Sequence, residues 1–436
     1  MRVFIPLILL FPAVGCGPPA GDRLAEARRL FEEGRPAEAR AIVDDLAGSP
    51  PGGAADLAEL AGLFTDLAAP DRALAVIGER AEGAVAEPAL VDAAAEAALR
   101  AGDRPRAKRL LDGLSGRGAA TADTHRLLGM VAFADNRLSD ARRAVVEARR
   151  LRPDDPRTEA VFGWLLFSEG KPAEAVSVLR ASCLARPKAP EPAAALSQVL
   201  LATSPSDPSV LREAADLLER VAAVRPMDRT TRRNLGVVLN RLGRHVPAEA
   251  VFLALTEQEP DRAEGFTGLG VARMGRGKVE AAVEAFRKAE ELAPRDLGVL
   301  MNLGNGLLEF ARATTDREKT ARAAGEVFER ARRLAPREPD VYVGLGRAAL
   351  KANPANDARA AEAMDFYRQA LALDPEHFEA NLNIALLYYD LWNFDKAPEG
   401  EGFLRAREHF TRAAAKVPPD RWDPMARQAF EEIRER

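Results

Sequence analysis

Eight side chains in the second half of the sequence carry polar groups suited to holding another chain: Arg233, Asn234, Asn302, Asn305, Arg347, Lys351, Asn383 and Tyr389. A carboxamide offers a donor and an acceptor together, so a row of asparagines can pair with a peptide backbone whatever its side chains. The basic residues add charges that meet carboxylates, and arginine does so with two parallel hydrogen bonds. Asn234, Asn302 and Asn383 each stand one residue before a Leu-Gly or Ile-Ala pair, and Asn305 lies one turn beyond Asn302. A plainer reading is that asparagine is simply common at this place, and spacing does not separate the two.

Groups suited to covalent or metal chemistry are scattered. His125, His245, His377 and His409 fall in different stretches, and no two have metal-ligand spacing on one helix, so surface or turn positions are expected. Cys183 is a lone thiol in a helical stretch, where the expectation is core. Glu290-Glu291 and Glu431-Glu432 are adjacent carboxylates with nothing to hold them across a cleft. The string from Gly268 to Lys278, GLGVARMGRGK, imitates a phosphate loop. Such a loop needs a strand before its glycines and a helix after them. Here they fall inside a helix and its turn, so a packing role is expected, with no catalytic residue, cofactor or metal.

The elements that must position these residues are helices. The chain has 436 residues, 47% hydrophobic and 29% charged, which argues against disorder and against a many-span membrane protein. Aromatics are 6%, and β-branched residues are too sparse for a set of strands, so the class is all-α. Lys plus Arg (62) nearly balances Asp plus Glu (66), leaving no net basic field of the kind a nucleic-acid binder needs.

A repeat orders these helices. Alanines stand at 39, 73, 107, 141 and 175, 34 residues apart, and the line continues through Ala214, Ala248, Ala282, Ala324, Ala363 and Ala406. Twelve residues after the alanine comes a proline in nine of the eleven cases, from Pro51 to Pro418; with 30 prolines in the chain, coincidence would supply about one in fourteen. Before each alanine lies a small residue: Ala27, Ala61, Ala95, Gly129, Gly163, Ser197, Gly236, Gly270, Gly304, Gly346 and Ala385. Pairs of antiparallel helices require this, because backbones come close only where side chains are small. Phe252, Phe286, Phe328, Tyr367 and Phe410, each one turn past the alanine, belong to the same buried face. Proline then stops the second helix.

These units resemble tetratricopeptide repeats, best in residues 229–260 and 263–294. The first three units depart from the pattern, with Glu26 in place of a leucine and Val85 and Ala119 in place of the proline. The resemblance implies a right-handed α-solenoid of about eleven helix-turn-helix repeats. It comprises divergent repeats over 23–120, further repeats over 121–228, best-matching repeats with inserted loops over 229–418, and a capping helix over 419–436. The inserts are expected as loops near Thr203–Val210, Arg312–Lys319, Ala352–Asp357 and Asn393–Gly402. In this family the first helix of every unit lines the inner wall, and the asparagine row is similar to the ladder of long tetratricopeptide superhelices. The basic-plus-Asn clamp for acidic C-terminal peptides is not matched, since Val237 occupies its asparagine place.

The amino terminus points to export. After Met1-Arg2 an apolar run extends from Val3 to Phe11 and reaches Ala13-Val14-Gly15-Cys16, the layout of a secretory signal and too short for a membrane span. The tetrad resembles the lipobox of bacterial lipoproteins, with Ala13 where leucine is usual. That resemblance implies a signal over 1–15, acylation of Cys16, and a lipidated tether over 16–22. Gly17, standing where an inner-membrane retention signal has Asp, implies the outer membrane facing the periplasm. The function expected is a non-enzymatic scaffold or assembly factor, anchored through lipid and binding proteins or extended peptides on its concave surface, with no nucleic acid. The alternative is an accessory subunit docking a separate enzyme, such as a glycosyltransferase, polysaccharide-export or peptidase complex.

Overall fold

The structure, a computed structural model, describes residues 18–33, 35–67, 69–82, 86–225, 228–352, 357–395 and 400–435. Among them lie 23 α-helices, two 3-10 segments and no strand. In chain order the helices fall into eleven pairs and a cap. The first six pairs are α1 (Ala20–Glu32) with α2 (Pro36–Gly48), α3 (Ala54–Asp66) with α4 (Pro70–Ile77), α5 (Pro88–Arg100) with α6 (Arg104–Gly116), α7 (Ala122–Ala134) with α8 (Leu138–Leu151), α9 (Pro156–Ser168) with α10 (Pro172–Ala185), and α11 (Pro190–Thr203) with α12 (Pro208–Val224). The remaining five are α13 (Arg229–Arg241) with α14 (His245–Gln258), α15 (Ala263–Gly275) with α16 (Val279–Leu292), α17 (Leu297–Ala313) with α18 (Arg317–Leu334), α19 (Pro339–Ala352) with α20 (Asp357–Leu373), and α21 (Phe378–Asp395) with α22 (Glu401–Lys416). The cap is α23 (Pro424–Arg434). The chain divides into two compact units, Met1–Val238 and Leu239–Arg436. In each, successive pairs pack on their neighbours, the arrangement of an α-solenoid.

The small-residue register is where the helices meet. All eleven alanines of the line are buried, as are Ala27, Ala61, Ala95, Ser197 and Ala385 opposite them. At Gly129, Gly163 and Gly304 an added Cβ would stand 2.6, 2.5 and 2.6 Å from Val145, Leu179 and Phe328. Each of those three side chains lies four residues past its pair's alanine, so the glycine is the space that the large residue fills. Phe328 is clasped twice, since a Cβ on Gly344 of the next pair would also approach it to 2.5 Å. Burying such a ring contributes about 2–3 kcal/mol, which only close packing on both sides delivers in full.

Prolines also start helices. Nine of the described α-helices begin on one, where the missing N–H would be unpaired in any case. The surplus residues of the longer repeats behave differently from the loops expected of them. In the sixth and ninth pairs most of the surplus lengthens helices: α12 has 17 residues, α17 has 17 and α18 has 18, against 13 and 14 in α15 and α16. Arg317–Lys319 thus opens α18, and only residues 314–316 separate it from α17. Continuing a helix adds one hydrogen bond per residue, which a polar loop would forgo. Residues 353–356 and 396–399, inside the other two inserts, lie outside the described residues.

At the amino end α4 stops after eight residues and gives way to a 3-10 turn, Gly78–Ala81. At the carboxyl end Trp422 is buried, donates from Nε1 to the Val417 carbonyl at 2.8 Å, and packs its ring against Phe410 and Phe430, closing the last pair under α23. No helix among the described residues is long and apolar enough to cross a membrane.

Candidate functional site

In the C-terminal unit the predicted residues lie on the first helices α17, α19 and α21. Asn305 Oδ1 accepts from Arg347 Nη1 at 3.2 Å, joining α17 to α19. Glu309 Oε1, one turn beyond Asn305, lies 3.5 Å from Arg347 and 3.8 Å from Lys351, whose Nζ donates to the Leu308 carbonyl at 3.0 Å. Burial first, then Arg312, Arg347 and Arg317, lower the Lys351 ammonium to about 8 against the opposing pull of Glu309. The result is a half-buried patch in which cations outnumber the one carboxylate, a place that attracts an anionic group.

The asparagines on either side are used differently. Asn302 Nδ2 donates to the Gly298 carbonyl at 2.8 Å and Asn383 Nδ2 to the Glu379 carbonyl at 2.7 Å, each one turn back in its own helix. Mid-helix asparagines commonly bond in this way. It leaves the carboxamide oxygen and one N–H of each for a partner. Tyr389 turns to the cap, where its hydroxyl donates to Glu432 Oε2 at 2.6 Å. That hydrogen bond first, and burial second, push the phenol up to about 12. Arg233 and Asn234 lie on α13 in the N-terminal unit, Arg233 exposed and Asn234 half-buried.

The N-terminal unit holds a second site that the sequence reading missed. Asp66 on α3 accepts from Arg28 of α1 at 2.5 Å and lies 3.9 Å from Arg157 of α9 and 3.8 Å from Arg225, just past α12. Glu191 of α11 meets Arg225 at 2.5 Å and Arg157 at 3.6 Å, while Glu96 of α5 meets Arg126 of α7 at 2.9 Å and Arg157 at 3.5 Å. First helices of six pairs thus converge on one inner face, with Arg157 touching three carboxylates. Burial opposes its charge, but Glu96, Asp66 and Glu191 outweigh that and hold the guanidinium firmly protonated. A signal was present: Asp123, Arg157 and Glu191 follow one another at 34-residue steps, each six residues before the packing residue, with alternating sign.

Beside this network lies a cleft of about 400 Å³. It is lined by small residues of α3 and α5, including Ala55, Ala58, Gly62 and Ala93, together with charged groups. Asp92 is buried there at 6% exposure and accepts from Thr121 Oγ1 at 2.6 Å and Thr124 Oγ1 at 2.7 Å. Burial raises its carboxyl to about 6, with Asp123 adding to the rise and the two hydroxyls and Arg126 opposing it.

Other singled-out residues find structural places. Gly268 and Gly270 lie inside α15 under Phe252 and Phe286, and Gly277 (φ 73°) makes the turn that follows, so the phosphate-loop imitation is packing. Cys183 is buried, and burial raises its thiol. His409, expected at the surface or in a turn, is half-buried inside α22, with Nδ1 2.8 Å from Oδ1 of the buried Asn381; burial lowers its pKa. Among the described residues no group of three His, Cys, Asp or Glu is placed to hold a metal ion. Cys16 lies outside the described residues.

The family model for the tetratricopeptide repeat matches residues 93–156, 211–263 and 247–297. No curated protein matches the chain in sequence. Among solved structures the chain is similar to TTC0263, a thermophilic tetratricopeptide protein of Thermus thermophilus, at 23% identity over 48% of this chain and 99% of that one, with a TM-score of 0.39. It is also similar to a human IFIT1 dimer with m7Gppp-AAAA (14% identity, 79% and 80% covered, TM-score 0.46) and to the APC/C hetero-tetramer Cut9-Hcn1 (16%, 95% and 90%, 0.40). The matched stretches and the buried small-residue crossings of the helix pairs agree: the chain carries tetratricopeptide repeats over residues 93–156 and 211–297, within a run of helix pairs of the same build.

Proposed function

We propose that this chain is a non-enzymatic scaffold, anchored to a membrane by acyl groups on Cys16, that holds an extended segment of a partner protein along the first helices of its C-terminal unit. The observation that carries the reading is the patch of Asn305, Glu309, Arg347 and Lys351, which spans two first helices and presents an excess of cations at partial exposure. Peptide carboxylates, at a chain end or on Asp and Glu, are the groups such a patch favours. The apolar run before Ala13-Val14-Gly15-Cys16 supports the anchor, and Gly17, standing where an inner-membrane retention signal has Asp, supports a place on the outer membrane facing the periplasm.

A photoreactive residue in place of Arg347, compared with one in place of the exposed Arg333 on α18, tests the scaffold reading in the native cells. A partner should crosslink at 347 and not at 333; equal yields at both positions, or none at 347, would sink it. Cys16→Ser should move the protein from the membrane to the soluble fraction, and an unmodified Cys16 in membrane-bound wild type would refute the anchor.

A further inference from the structure

We propose that the cleft between α3, α5 and α7 of the N-terminal unit receives a basic side chain, lysine or arginine, of a partner polypeptide, with Asp92 as its counter-ion. This rests on the protein-binding reading above but concerns the other unit. The other carboxylates that ring the cleft are paired: Glu59 and Asp66 with Arg28, Glu96 with Arg126 and Arg157, Asp123 with Arg126 and Arg152. Asp92 has two hydroxyls and, among the described residues, no cation in ion-pair contact, although it is the most buried of these acids. A buried carboxylate without a cation destabilises the fold, and such groups in clefts mark binding sites. The alanine and glycine lining leaves room for an aliphatic stem, and an incoming ammonium or guanidinium supplies the missing charge.

The pH response follows from which groups titrate. Asp92 ionises near 6, mainly because burial disfavours its charge. Burial would raise Glu96 as well, but Arg126, Arg157 and Arg100 outweigh it and hold that carboxyl at about 2; Asp123 is lowered in the same way by Arg126 and Arg152. Both stay charged through the window, as do Arg28, Arg126 and Arg157, all held protonated by the carboxylates beside them. Binding of a cation should therefore weaken as the pH falls through 6.

The probe is a fluorescent, end-capped Gly-Lys-Gly-Lys-Gly peptide, titrated into the full chain at low salt and followed by anisotropy. Asp92→Asn should weaken binding about tenfold or more, with unchanged circular dichroism. Asp216→Asn, on the exposed face of α12, should leave it unaltered. For wild type, going from pH 7.5 to 5.0 should cost up to about tenfold, the loss of ionised Asp92. Absence of binding to wild type, equal binding by Asp92→Asn, or equal weakening by Asp216→Asn would overturn the proposal. The crosslink at position 347 does not depend on Asp92, so the two readings fail separately.

Discussion

Adding one methyl group at the crossing of α17 and α18 should destabilise the C-terminal unit. In Gly304→Ala the new Cβ falls 2.6 Å from Cζ and 2.7 Å from Cε1 of Phe328, where ordinary contact begins at 3.4 Å, so the ring must withdraw by about 0.8 Å. It has nowhere to go. Phe328 is fully buried, and the backbone of the next pair also closes on it, since a Cβ on Gly344 would stand 2.5 Å from its Cε1. Overpacking of this kind costs about 1–3 kcal/mol, against a gain of about 1 kcal/mol from replacing glycine in a helix, so a net loss of up to about 2 kcal/mol is expected. Gly325→Ala, in α18 of the same pair, has an ordinary 3.7 Å approach to Ala348 and should instead stabilise by about 0.5–1 kcal/mol. The assay is hydrogen exchange of peptides from α17 to α19 together with urea denaturation, because a repeat array need not unfold in one step. Phe328→Leu should absorb most of the Gly304→Ala penalty, a coupling of about 0.5–3 kcal/mol. If Gly304→Ala is as stable as Gly325→Ala, or its cost persists undiminished when combined with Phe328→Leu, the reasoning from the clasped ring is wrong.

Two further changes probe polar groups that the repeat pattern does not explain. Tyr367 occupies the place held by phenylalanine in the four other aromatic repeats, and its buried hydroxyl has no hydrogen-bond partner among the described residues. Tyr367→Phe should therefore be neutral or stabilise by about 1–2 kcal/mol, and a loss of more than about 1 kcal/mol in urea melts would show that the hydroxyl is paired. Arg157→Ala removes the cation shared by Asp66, Glu96 and Glu191. With the side chain 36% exposed, solvent screening limits the expected cost to about 1–2 kcal/mol, and protection should fall together in α3, α5, α9 and α11. That cost should shrink in high salt and as the pH drops toward 2, where Glu96 gains its proton and the stability its lowered pKa supplies above about 4.5 is lost; a salt-independent cost confined to α9 would refute the shared network.

The amino-acid sequence by itself determined the all-α class, the eleven pairs, the buried alanine line and the capping helix. Each of these rests on short-range physics: a helix must show one small face to its neighbour, place its large residues one turn away and end at proline, and all of this repeats along the chain. The direction of individual polar side chains was settled only in three dimensions. Asn302 and Asn383 share the predicted register, yet a rotamer choice commits one N–H of each to Gly298 and Glu379. Tyr389 reaches Glu432 because the cap folds back on the last pair. The clustering of Arg28, Asp66, Arg157, Glu191 and Arg225 arises because the curvature of the N-terminal unit brings repeats one, two, five and six to a common inner face. The isolation of Asp92 follows from the same convergence, since which carboxylates obtain an arginine depends on reach across that face. Periodicity describes neighbours along the chain, whereas pairing across the inner wall depends on curvature accumulated over several repeats.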